Sequence, residues 1–101
     1  MKLGGEEFEV NTCFSNVKRF ETLYGGPIQM LQSIASSRIT LTEIVGFYHV
    51  MQTAKLTEEQ IYEKVRQDGM SVHVLQLGQC MKDMLGLDEK KLKAQQKELA
   101  K

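Results

Sequence analysis

One stretch of the sequence, residues 39–56, constrains the fold more than any other. Thr40 and Glu43 have the spacing of a capping box, in which each side chain satisfies a free helix N–H, and Ile39 and Ile44 are placed for a hydrophobic staple. Apolar residues cover more than half of the helical circumference, and a helix apolar over so wide an arc is usually enclosed by its neighbours. The sequence therefore predicts an enclosed central helix. Its apolar residues are Leu41, Ile44, Val45, Phe47, Tyr48, Val50, Met51 and Ala54. The remaining strip holds Thr42, Gly46, His49 and Thr53.

Two helices are predicted before the central one. The first is capped by Asn11 or Thr12 and ends at Gly25, a residue that adopts positive φ without steric cost. The second starts at Gly26-Pro27, because proline is tolerated at the first helical position. The inward-facing residues are expected to be Cys13, Val17, Phe20 and Tyr24 in the first helix, and Ile28, Leu31, Ile34 and Ala35 in the second.

Two further helices are predicted after the central one. Thr57 and Gln60 repeat the capping box, and Gly69 ends that helix. The next helix starts at Met70 and ends at Gly86. The inward-facing residues are expected to be Ile61, Tyr62 and Val65, followed by Val74, Leu77, Met81, Met84 and Leu85.

The two ends of the chain have a different character. Residues 6–10 predict a short strand with Phe8 and Val10 on one face, and this strand pairs either with residues 1–3 or with another chain. Residues 87–101 are mostly Lys, Gln and Glu, which predicts a polar, flexible or helical tail. The predicted fold is mainly α: one domain over residues 1–86, a small bundle of about five helices with a short N-terminal strand or hairpin.

Composition and charge restrict the function classes. Thirteen basic and thirteen acidic residues cancel, so no overall field draws the chain to nucleic acid or to an anionic membrane. No segment approaches the roughly 18 apolar residues of a membrane span, and the first residues lack the apolar run of a signal peptide. Cys13 and Cys80 do not resemble a disulfide framework. We therefore expect the protein to reside in a reducing cytoplasm.

Candidate chemistry is sparse in this sequence. Cys13, His49, His73 and Cys80 could supply zinc ligands, but structural zinc sites use close pairs, which these residues do not form. We expect both cysteines to be buried and to pack as small apolar residues. No known catalytic motif is present, so we predict no enzyme activity, no catalytic residue, no metal and no cofactor.

A DNA-binding role is the alternative that the sequence leaves open. The central helix and the helix from Thr57 could form a helix-turn-helix in a small DNA-binding or transcription-regulating domain. That second helix carries Glu58, Glu59 and Glu63, which would face phosphate unfavourably.

Several segments follow one another in a familiar order. They are the turn into the strand at residues 4–10, the helix ending at 20–25, the short helix at 28–35, the lead into the central helix at 37–44, the cap at 56–61, the stop at 68–69 and the helix at 71–85. This order resembles the tail-assembly-chaperone-like proteins of gene transfer agents and long-tailed phages, and the resemblance covers residues 4–86. The chain departs from that family in two places. Relatives usually carry a full strand before the Gly-Gly turn, whereas three residues precede it in this chain. Residues 87–101 have no counterpart in the family.

The resemblance implies a non-enzymatic role in building a phage-like tail. Such proteins are thought to keep the tape measure protein soluble while tail tube subunits polymerise around it, acting by protein contact and without nucleic acid, membrane or cofactor. Methionine-containing surfaces suit this role because they adapt to many partners. The candidates are Met30, Met51, Met70, Met81 and Met84. The predicted contact residues are Met81, Met84 and Leu85, with Leu92 and Leu99 as anchors in the tail. The sequence leaves open whether the chain forms a homo-oligomer.

Overall fold

Five α-helices and a two-stranded hairpin are present in residues 1–86, the part of the chain that the computed structural model describes. The order is β1 (Lys2–Leu3), β2 (Glu6–Glu7), α1 (Phe14–Tyr24), α2 (Gly26–Ala35), α3 (Leu41–Met51), α4 (Glu58–Asp68) and α5 (Met70–Met84). The predicted mainly α fold is thus confirmed. The predicted tail at residues 87–101, with Leu92 and Leu99, lies outside the described residues.

Helix α3 is enclosed by its neighbours. It contacts α1, α4 and α5, and both Phe47 and Tyr48 are 0% exposed. The Phe47 ring meets Phe20 of α1 edge-on with centroids 5.4 Å apart, an arrangement that aromatic pairs favour. The prediction of an enclosed central helix is confirmed.

Helix α3 is shorter than the predicted stretch. It ends at Met51, because Gln52 has an extended backbone and its side chain bonds the backbone N–H and C=O of Leu56 instead. Ala54 therefore lies in an exposed turn, and its predicted place on the apolar face was wrong.

The close approach of α1 and α3 depends on Gly46. We predicted this glycine on the strip of small or weakly polar residues of the central helix, but it is buried beneath the ring of Tyr24. A Cβ at this position would overlap that ring. Glycine is therefore required here by packing.

The two predicted capping boxes differ. In α4 both halves form: Thr57 Oγ1 accepts from the Gln60 N–H at 3.2 Å, and Gln60 Oε1 accepts from the Thr57 N–H at 2.9 Å. In α3 the Thr40 hydroxyl accepts from the Glu43 N–H at 3.2 Å. The Glu43 carboxylate does not return the bond, and its Oε2 is buried without a partner among the described residues. The reciprocal half predicted for α3 was therefore wrong.

The N-terminal segment pairs within the chain. Lys2 lies opposite Glu7 and Leu3 opposite Glu6 across a turn at Gly4-Gly5, whose φ angles of 63° and 78° suit glycine. The strand is shorter than the predicted residues 6–10. Beyond β2, Val10 forms a single bridge with Gln52. Of the two pairings weighed from the sequence, the hairpin is the one observed.

Helix α2 is rotated relative to the predicted stripe. Met30 is 1% exposed, whereas Ile28 and Ala35 are exposed and Leu31 and Ile34 are half-buried. The helix contacts both α1 and α5, so its buried face is the one between those neighbours, where Met30 lies.

Four other residues predicted or grouped as inward lie at the surface or its edge. Cys13 is exposed because it precedes α1 as its N-cap residue. Leu41 and Tyr62 are both 38% exposed, because they line one shallow depression at the outer edge of α3 and α4. Leu85 is half-buried at the C-cap of α5. The predicted burial was therefore wrong for Cys13, Leu41 and Tyr62, and Leu85 is buried only in part. None of the helices within residues 1–86 is long and apolar enough to cross a membrane.

Candidate functional site: an apolar groove and a buried polar chain

A groove of about 580 Å³ opens where α1, the start of α2 and the end of α5 meet. We call it the α1–α2–α5 groove. Its apolar side chains are those of Val17, Pro27, Ile28, Met84 and Leu85, and Glu21 is the acidic residue beside them.

The sequence builds this groove through the turn between α1 and α2. Gly25 ends α1 in the left-handed region with φ 92°, and Gly26 follows with φ 92°. Helix α2 therefore begins without an intervening loop, with Pro27 in its first turn where the missing N–H has no cost. This sharp reversal brings Ile28 of α2 and Val17 of α1 to the same groove.

The predicted contact residues divide into two groups. Met84 and Leu85 are half-buried and line the groove. Met81 is 0% exposed and belongs to the core, one helical turn below that rim, so its predicted role as a contact residue is corrected. Leu92 and Leu99 lie outside the described residues.

One large apolar side chain of the groove is exposed. Ile28 on its wall is 61% exposed. Of the other methionine candidates, Met30 and Met51 are core residues and Met70 is partly exposed. Exposed apolar side chains grouped in a groove often mark a protein contact site. The adaptable contact residue that remains at the groove is Met84.

A second feature is a chain of hydrogen bonds in the interior. Tyr48 Oη lies 2.7 Å from His73 Nδ1, and His73 Nε2 lies 2.8 Å from Asp68 Oδ2. The Gly4 N–H donates to the same Asp68 oxygen at 2.7 Å, and Gln76 Nε2 donates to Tyr48 Oη at 2.7 Å. We call these four side chains, Tyr48, Asp68, His73 and Gln76, the polar chain.

The polar chain joins the N-terminal hairpin to three helices. Gln76 also accepts from the Lys2 N–H and donates to the Lys2 carbonyl, both at 3.0 Å. Tyr48 and His73 are both 0% exposed, so neither is placed to meet a substrate from solvent. The arrangement therefore fastens β1 and its turn to α3, α4 and α5.

Burial and hydrogen bonds set the ionisation of this chain. Burial raises the pKa of Tyr48 far above that of an exposed tyrosine, so its hydroxyl stays protonated. Desolvation works to raise the pKa of Asp68, but hydrogen bonds from Gly4 and His73 outweigh it, and the pKa is lowered. Asp68 is therefore a carboxylate that accepts two hydrogen bonds.

The sequence reasoning missed the polar chain. His73 lies four residues before Leu77 and eight before Met81, so helical spacing could have placed it on the buried face of α5. Its partners could not have been found in this way, because Tyr48 lies 25 residues away in the sequence.

The cysteines have different surroundings. Cys13 is exposed, and a hydrogen bond with Ser15 lowers its pKa. Burial raises the pKa of the half-buried Cys80 to about 11. The expectation that both are buried was therefore wrong for Cys13. Within residues 1–86, no group of three or more His, Cys, Asp or Glu side chains converges as metal ligands would.

Comparison with family models, with curated proteins and with solved structures gave no match to this chain.

Proposed function

We propose that this protein is a tail assembly protein of a phage, prophage or gene-transfer-agent-like particle. Its partners are the tape measure protein, which it binds as a chaperone, and the tail tube proteins. It acts in the cytoplasm of the bacterial cell that produces the particle. It acts by protein contact, without catalysis and without a cofactor. The order of segments in residues 4–86 supports this proposal, and the α1–α2–α5 groove gives it a contact surface.

The single observation that carries the proposal is the exposed apolar wall of the groove. Ile28 is 61% exposed although it is a large aliphatic residue, and Met84 and Leu85 extend the same surface. An amphipathic helix binds such a groove by inserting its apolar stripe. Methionine adapts to varied side chains, as a chaperone of a long helical partner requires.

The rest of the fold suits a rigid support for that surface. The core residues Phe20, Met30 and Met81 lie in the three helices that form the groove, and each is at most 1% exposed. The groove residues are thus held in place from below while their outer sides stay accessible.

The DNA-binding alternative gains no specific support. The first turn of α4 carries Glu58 and Glu59, both exposed, and a recognition helix needs donors and cations at that end. A gel shift at several salt concentrations separates the two functions, because phosphate-driven binding weakens steeply as salt rises. Our proposal expects no shift at any salt concentration.

Co-expression with the tape measure protein of the same particle tests the proposal. We expect the tape measure protein to be soluble and to co-purify with the wild-type chain. Ile28→Asp should reduce the soluble fraction several-fold, because a carboxylate in the groove opposes an apolar partner. Leu75→Asp is the matched control, since Leu75 is 77% exposed on the outer face of α5. Equal solubility with both variants, or an insoluble partner with the wild type, would contradict the proposal.

A further inference from the structure

We infer that the polar chain is a proton-operated latch: the N-terminal hairpin is docked while His73 is neutral and is released when His73 takes up a second proton. The inference rests on the directions of the hydrogen bonds in the polar chain, which leave a single arrangement of donors and acceptors.

The directions of these hydrogen bonds follow from the residues at the two ends of the polar chain, Asp68 and Gln76. The Asp68 carboxylate can only accept, so His73 Nε2 carries a proton and donates at 2.8 Å. In a neutral imidazole Nδ1 is then an acceptor, and the Tyr48 hydroxyl donates to it at 2.7 Å. Gln76 Nε2 uses one proton for Tyr48 and the other for the Lys2 carbonyl, while its oxygen accepts the Lys2 N–H. Every side-chain N–H and O–H of the polar chain has an acceptor in this arrangement.

A second proton on His73 creates a conflict of donors. Nδ1–H would then point at Tyr48 Oη, and the Tyr48 proton would need another acceptor. Among residues 1–86 the Tyr48 hydroxyl has two hydrogen-bond partners, His73 and Gln76 Nε2, and Gln76 Nε2 is itself a donor. Either the buried hydroxyl loses a partner, which is costly, or the Gln76 amide turns over and gives up both bonds to Lys2.

The hairpin depends on these bonds. Lys2 is bound by Gln76 at one end of the polar chain, and Gly4 is bound by Asp68 at the other end. The hairpin buries Leu3 and leads to Phe8, whose ring meets Tyr48 edge-on with centroids 5.4 Å apart. Loss of the Lys2 bonds therefore loosens β1 and uncovers apolar surface beneath Leu3.

The charged and titratable groups around His73 come from several elements. The Asp68 carboxylate of α4 lies 2.8 Å from His73 Nε2, so its negative charge faces the imidazole. Lys64 of α4 places a positive charge near Asp68. Tyr48 of α3 and Cys80 of α5 are neutral, since burial raises the pKa of both. On the hairpin, the Met1 amine and Lys2 ammonium both pair with Glu7. Apart from His73, these groups keep their charges in the latch, so the second proton on His73 is the change that opens it.

Amide hydrogen exchange of the whole chain between about pH 7.5 and 5, the range of histidine titration, tests the latch. After correction for the intrinsic exchange rate, we expect the protection of the Lys2, Gly4 and Phe8 amides to fall at the acidic end by on the order of tenfold, as loss of a buried hydrogen bond implies. The Gln52 amide, which donates to the backbone carbonyl of Tyr48 at the end of α3, should change little and is the internal control.

Tyr48→Phe supplies the matched variant. Without the hydroxyl, a second proton on His73 Nδ1 meets no competing donor and does not force the Gln76 amide to turn over. Hairpin protection should therefore lose its pH dependence. Nitrogen chemical shifts of wild-type His73 give a second measurement that needs no variant, and at neutral pH they should show the proton on Nε2. A proton on Nδ1 at neutral pH, or hairpin protection that stays constant or rises as pH falls, would overturn the proposal.

Discussion

At the residue scale, Gly46 decides how closely α1 and α3 pack. Its missing side chain is the space that the Tyr24 ring occupies. The Tyr24 ring also packs on Phe20 with centroids 5.9 Å apart, so it cannot move aside without losing that contact. One hydrogen in place of a methyl group thus sets the geometry of the aromatic cluster.

We predict that Gly46→Ala destabilises the protein by about 1–3 kcal/mol, the usual cost of overpacking a core. Chemical denaturation measures the change in the free energy of unfolding. The matched control is Gly78→Ala in α5, where the nearest atom to an added Cβ is Ile34 Cγ2 at 4.0 Å. That variant should gain up to about 1 kcal/mol from helix propensity. A stable Gly46→Ala protein would show that Tyr24 is free to move away.

Some residue positions could be read from the sequence and others could not. Gly25 and Gly69 were predicted as helix ends because the requirement for positive φ is local, and both have φ above 90°. The burial of Met30 in place of Ile28 was not predictable, because it depends on where α1 and α5 lie around α2.

At the scale of elements, α4 relies on its cap more than α3 does. Only Ile61 and Val65 of α4 are buried, whereas seven residues of α3 are buried. Most helix stability in proteins comes from packing of an apolar face. Since α4 has a narrow apolar face, the complete capping box at Thr57 and Gln60 contributes a larger share of its stability.

We therefore predict that Thr57→Ala costs about 1 kcal/mol, the typical value for loss of an N-cap side chain. Urea denaturation gives the stability, and hydrogen exchange should show faster exchange at the Gln60 amide, which loses its acceptor. Thr57→Ser keeps the hydroxyl and should retain nearly all of the stability. An unchanged Gln60 amide in Thr57→Ala would mean that the cap does not hold this turn.

The helices themselves were largely predictable as elements. Caps such as Thr57 and stops such as Gly69 are local signals, and they placed the start of α4 and the boundary between α4 and α5 correctly. The end of α3 was overestimated because Gln52 bonds Leu56 through its side chain, a turn that apolar periodicity does not reveal.

At the scale of the whole molecule, the enclosed central helix was predictable and the connections across the fold were not. The apolar arc of α3 requires neighbours on most sides. The bond from Gly4 to Asp68, however, joins residues 64 positions apart. No local pattern encodes such a contact. The same holds for the groove, in which Val17 and Met84 come from opposite ends of the described chain.

The groove, as the place where a helical partner is held, is the central claim at this scale. Residues from three helices meet there around an apolar wall, and Met84 and Leu85 lie at the end of α5. Binding should therefore protect two separate parts of the sequence at once, around the α1–α2 turn and at the end of α5.

Hydrogen exchange of the chain with and without the co-expressed tape measure protein of the proposed particle tests this claim most directly. We predict slower exchange at residues 17–28 and 82–86 in the complex, with little change in residues 58–64 of α4, and loss of the protection in Ile28→Asp. Protection confined to α4, or a complex that forms with both groove segments unprotected, would contradict the account.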